Sequence, residues 1–249
     1  MTTSNEAHVE TPVKERAASP LAALFALLFA PDRGMERQAK VGRARWLLLF
    51  AMACSIFLGA ALAARVDARS NTLRNLEERG QLKSMSDRQI ADETRSAERV
   101  SQVASIAKGV VSAPLQLGLT SVSLLALCWF FRGRIKGRAV APVAAATLLP
   151  GALANVLDAI TALRHTVLPP GGMPLSPRTL SAVLLTFGRP LPDPWQRFGG
   201  ALDFFSLWAA VMLGYGVAAT GQIPKRTAVV GTLIAWACFR LLTNVAIRG

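Results

Sequence analysis

The chain has 249 residues, 52% hydrophobic and only 17% charged, with a formal net charge of +13. That balance and the positive mean hydropathy exclude an ordinary soluble domain and point to an integral membrane protein. The 28 Lys and Arg sit between apolar runs, where the positive-inside rule puts cations, so no nucleic-acid partner is read from the charge.

Residues 1–18 are polar and of mixed charge and read as a disordered tail. Residues 19–45 read as an interfacial helix with a basic lead-in. Ser19 can cap, Pro20 fits the first helical position, and Pro31 ends the helix. The apolar run 21–30 is about 15 Å long as a helix and cannot cross a core of about 30 Å. It lies in the interface or tucks against the bundle. Five cations from Arg33 to Arg45 follow.

Five spans are expected over about 46–64, 109–131, 139–157, 201–222 and 227–247. Pro142 and Pro150-Gly151 break the third, and the fifth carries Arg240. Between the first two, "RVDARSNTLRNLEERG" continues the first span as a helix that stops at Gly80. "SDRQIADETRSAERVSQVASIAKG" restarts at a capping box, Ser86 with Gln89. Ile90, Ala97, Val100, Ala104 and Ala107 fall on one stripe. The segment reads as an antiparallel helical hairpin outside the membrane, packed or as two solvated helices. Between the third and fourth spans lies a Pro-rich loop containing a short helix, capped by Ser176 and ended by Gly188. "DPWQ" then starts the fourth helix, with Asp193 as cap and Pro194 first, which makes Asp203 a third-turn residue and not a cap. Gly59/Ala63, Gly214/Ala218 and Gly231/Ala235 offer small faces for close helix contact.

The charges give an orientation. The loop 132–138 carries four cations and no acid, Lys225 and Arg226 fill the turn between the last two spans, and a basic run precedes the first. The loops on the other side nearly balance, with nine cations against seven acids over 65–108. The N-terminus is therefore expected in the cytoplasm and the C-terminus outside. Arg132, Arg134, Lys136, Arg138, Lys225 and Arg226 are the candidate contacts to anionic lipid.

The stretch "LDFFSLWAAVMLGYGVAATGQIPKRTAVVGTLIAWACF" resembles the C-terminal helical pair of bacterial members of the Yip family, five-span membrane proteins named for interaction with Ypt/Rab GTPases. The matching features are Asp203, Phe205 and Trp208, the Gly214-Tyr215-Gly216 step, the basic turn Lys225-Arg226, and Trp236. "SPLAALFALLFAPDRGMERQAKVGRARWLLLF" is similar to the N-terminal region of the same bacterial members. The resemblance covers roughly 20–65 and 100–247. It implies a five-span fold in the bacterial inner membrane, an N-terminus in the cytoplasm, no known catalysis, and a role in membrane organisation or partner binding.

Candidate chemistry is sparse. The two His, His8 and His165, stand in no recognised catalytic frame, HExxH, GxSxG and P-loop patterns are missing, and no enzyme activity is expected. Cys54, Cys128 and Cys238 show no CxxC spacing and read as apolar fillers, so neither a disulfide nor a metal or cofactor site is expected. The polar residues inside spans remain. Asn155, Asp158, Asp203, Arg240 and Asn244 all fall in the outer third of the bundle, while Gln116 sits in the second span. Three readings stay open: a buried ion-pair and amide network, groups that snorkel to water, or an ion path. Arg240 needs an acid, and Asp203 is the expected partner with Asp158 competing. The chain is expected to be an all-α, five-span scaffold that shapes membrane or binds a protein partner or a second copy. The alternative is a small transporter or channel component.

Overall fold

The apolar runs fold as helices throughout the computed structural model, which describes residues 20–42, 44–65, 68–81, 84–165, 168, 179 and 203–246. The described helices are α1 (Pro20–Phe29), α2 (Pro31–Val41), α3 (Ala44–Arg65), α4 (Ala68–Glu78), α5 (Asp87–Phe130), α6 (Gly137–Thr147), α7 (Leu149–Arg164), α8 (Phe204–Gly221) and α9 (Lys225–Ala246). Among the described residues the β-structure is one isolated antiparallel bridge, Thr179 with Asp203. Five segments are long and apolar enough to cross a membrane: α3, α5, α6 and α7 taken together, α8, and Lys225–Thr243 of α9. The tail 1–18, the Asp193 cap and, apart from Thr179, the helix expected over 176–188 lie outside the described residues; Thr179 itself stands in the bridge to Asp203.

The broken third segment is the centre of the bundle. It packs on α3, α5 and α8, and its membrane-length stretch is the most buried of the five. The break is at Leu148, which ends α6 and opens α7, with Pro150 in the first turn of α7. The helix then runs to Arg164, seven residues past the expected end at 157. The apolar stretch 158–164 carries only Asp158 and Arg164 as charges, so hydropathy alone stops the segment at the first charge. Beside it, α3 meets α7 along small side chains: Ala51, Cys54 and Ala152 in one cluster, Ala61, Ala159 and Ala162 in another.

The crossing of α3 with α5 is closer still. A Cβ on Gly59 would lie 2.5 Å from the Ser105 carbonyl oxygen, and one on Gly109 would lie 2.7 Å from the Ser55 carbonyl oxygen. Two glycines, one on each helix, thus let the backbones touch. Gly214 faces the backbone of Val229 in the same way, so these small faces serve contacts within the chain.

Two expectations about the first half are corrected. Pro31 does end α1, but it also begins a second helix: the basic lead-in is α2, with Pro31 at its start, Asp32 in the first turn, and Met35 and Gln38 buried against α6 and α8. The second expected span is the end of one continuous helix. α5 has 44 residues and is about 66 Å long, roughly twice a hydrocarbon core. It starts at the expected capping box, where the Gln89 N–H donates to Ser86 Oγ and the Ser86 N–H to Gln89 Oε1 at 2.9 Å. α4 lies against it, closed by Gly80 at φ +69. The face of α5 turned inward runs through Ile90, Thr94, Ala97, Ser101, Ser105 and Gly109, while Val100, Ala104 and Ala107 are exposed. Close approach selects small residues there, so a search for apolar ones misses the stripe.

Candidate functional site

One end of the bundle is assembled from three separate basic segments. α5 ends in a left-handed residue, Arg132 at φ 53, and the loop after it bonds to the end of α8: the Arg134 N–H donates to the Gly221 carbonyl at 2.9 Å and the Lys136 N–H to the Thr220 carbonyl at 3.1 Å. α8 itself ends in left-handed Gln222, from which Pro224 starts α9. α2 is held to the same end by Lys225, whose Nζ lies 2.8 Å from Glu36 and 3.5 Å from Asp32. The main-chain N–H of Arg33, with the Lys225 ammonium, holds the Asp32 carboxyl below its ordinary range. Arg132, Arg134, Lys136, Arg138, Lys225 and Arg226 are all exposed on this end. Asp32 and Glu36 were missed in the sequence, although their i,i+4 spacing on a helix opened by Pro31 is the signal that finds them.

At the opposite end Asp203 does two jobs. It is the N-cap of α8, in extended backbone, and its Oδ1 accepts from the Ser206 N–H at 2.7 Å. This corrects the expectation of a third-turn residue: the chain at Asp203 bridges to Thr179 as a strand would, so the helix begins only at Phe204. Its other oxygen, Oδ2, lies 3.7 Å from Arg240 Nη2 on α9. The Arg240 guanidinium also stands 5.9 Å from the centroid of the Trp236 ring. Asp203 is the more buried partner, its side chain 13% exposed against 31% for Arg240.

The hydrogen bond of Asn155 is separate from the Asp203–Arg240 pair. Asn155 reaches the neighbouring α3, where its Nδ2 donates to Ser55 Oγ at 3.1 Å. Asp158 is buried on α7, two turns inside the helix end. Asn244 lies in α9, and its side chain is outside the described residues. Neither Ser55 nor its pairing was read from sequence. A serine at an Ala-rich crossing gives no periodic signal.

Compared with protein-family models, curated proteins and solved structures, the chain matches none.

Two cavities flank the middle of α5, and Gln116 borders both. The smaller, about 270 Å³, lies between α3, α5 and α7 and is bordered by Ser55, Ser105, Ser112 and Asn155. The larger, about 610 Å³, lies between α5, α6, α7, α8 and α9 and is bordered by Thr147, Ser206 and Thr232 as well as by apolar side chains. The Thr232 hydroxyl is buried without a hydrogen-bond partner among the described residues. Among the described residues no three His, Cys, Asp or Glu come together as a metal site.

Proposed function

We propose that this chain is a Yip-type integral membrane scaffold of the bacterial inner membrane, non-catalytic, which organises or shapes membrane or docks a partner at a basic cytoplasmic face. The N-terminus is in the cytoplasm and the C-terminus outside. α1 lies in the interface, with Phe25 and Phe29 exposed toward lipid and Leu27 buried in the bundle. The outer half of α5 with α4 forms a helical hairpin beyond the membrane. The observation that carries this reading is the fixed basic end. Three segments far apart in sequence are tied by backbone hydrogen bonds and by the Lys225 ion pairs, and the six cations of 132–138 and 225–226 stay exposed. A face that only set topology would not need to be held rigid, whereas a platform for anionic headgroups or an acidic partner gains from it. The order of elements also supports a Yip-type chain: a short apolar helix, a basic segment, five spans, and a last pair joined by a basic turn.

A second reading, a small transporter or channel component, draws support from the cavity of about 610 Å³ with its serine and threonine hydroxyls. Reconstitution into liposomes containing anionic phospholipid separates the two. The scaffold changes vesicle size and shape as protein density rises and carries no selective solute flux. Selective flux across vesicles of unchanged shape would overturn it in favour of transport.

A further inference from the structure

α9 is the least anchored span. Its substantial helix contacts are with α8, and most of its length is exposed. It does not close on α5, because the Phe131 ring at the end of α5 is wedged against Gly231. A Cβ on Gly231 would lie only 2.2 Å from the Phe131 ring. The result is a lateral cleft between α5 and α9. The large cavity described above forms its inner part, and a second cavity of about 670 Å³ forms its outer part. The two meet at Ala126, Leu127 and Ala235. Each volume falls within the range of about 300–1,000 Å³ typical of small-ligand sites. The outer cavity is lined by Ala, Leu, Phe, Ile, Gly and Trp129, so it lacks the two to four polar partners that hold water.

The mouth beside Phe131 and Gly231 is basic. Arg132 follows Phe131 directly, and Arg226 is five residues before Gly231, about 7.5 Å along the helix. Both are exposed, and neither makes an ion pair among the described residues, whereas the neighbouring Lys225 is engaged by Glu36 and Asp32. No acid stands in 131–138 or in 221–231.

We propose that the α5–α9 cleft is a binding site for one anionic phospholipid, with an acyl chain between the helices and the phosphate on Arg132 and Arg226. The site rests on the reading of the basic end as a headgroup-facing platform and names the lipid part of it. The apolar channel requires a chain, the cations at its mouth select a negative headgroup, and the Phe131 wedge keeps the channel open.

The test is native mass spectrometry of the full chain released from nanodiscs of phosphatidylglycerol or of phosphatidylcholine. The wild type is expected to keep one phosphatidylglycerol under activation that strips phosphatidylcholine. Ala235→Phe, which fills the junction of the two cavities, is expected to lose it, with Ala126→Phe testing the same point from α5 if the first variant does not fold. Arg132→Gln with Arg226→Gln is expected to abolish the preference between the two lipids at least tenfold. Equal retention of the two lipids by the wild type, or retention unchanged by both phenylalanines, would overturn the proposal. So would two chains leaving together with no lipid, which would assign the cleft to a second copy. These outcomes concern the cleft alone, and the vesicle-shape assay judges the platform independently.

Discussion

Asp203 combines a helix cap with an ion pair, and two substitutions separate them. Asn caps a helix about as well as Asp, so Asp203→Asn keeps the bond to the Ser206 N–H and removes only the charge, while Asp203→Ala removes both. At 3.7 Å, with both side chains partly screened, the pair with Arg240 stands between an exposed pair, worth about 0.2–1 kcal/mol, and a fully buried one, whose breaking costs about 3–5 kcal/mol. We expect a coupling near 1 kcal/mol, about a fivefold change in the folded-to-unfolded ratio. The lost cap adds about 0.5–2 kcal/mol to Asp203→Ala. The assay is reversible unfolding in detergent of Asp203→Asn, Asp203→Ala, Arg240→Gln and the Asp203→Asn/Arg240→Gln double variant. The expected order is Ala worse than Asn, and a double variant that loses clearly less than the sum of its singles. The cycle is needed because Arg240→Gln also removes the contact with Trp236. Equal losses for Asn and Ala would refute the cap, and strict additivity would refute the pair.

Gly59→Ala should destabilise by about 1–3 kcal/mol, since the new methyl meets the Ser105 carbonyl, whereas Gly118→Ala, with open space around it, should be neutral or stabilise by up to about 1 kcal/mol; thermal unfolding of the two variants checks the contrast. The Asp32 carboxyl is held below its ordinary value of 3.8, so its contribution to docking α2 is complete above that pH and is lost as pH falls through the lower folded value. The difference in thermal stability between the wild type and Asp32→Asn should therefore be full at neutral pH and shrink only once the pH falls below the ordinary carboxylate value of 3.8.

The apolar runs were legible because hydropathy reports length directly: α3 and α9 begin and end within two residues of their expected limits among the described positions. What the sequence concealed depends on geometry between segments. Asp203 is not legible as a cap, because Asp193-Pro194 is the stronger local start signal and the bridge that sets Asp203 in extended backbone comes from Thr179, far away in sequence. The inner stripe of α5 was misplaced because a close crossing wants Thr, Ser and Gly, which carry no hydropathic signature. α2 reads as a basic lead-in because five nearby cations mask a helix whose buried face is only Gly34, Met35 and Gln38. The cleft between α5 and α9 needed the structure altogether, since it arises from one ring, Phe131, resting on one glycine.

Topology mapping tests directly whether the chain crosses five times with the basic end in the cytoplasm. Single reporters placed at Gln81, Arg134, Arg226 and after Gly249 of the full chain should read outside, cytoplasm, cytoplasm and outside. A cytoplasmic signal after Gly249, or opposite signals at Arg134 and Arg226, would contradict that topology.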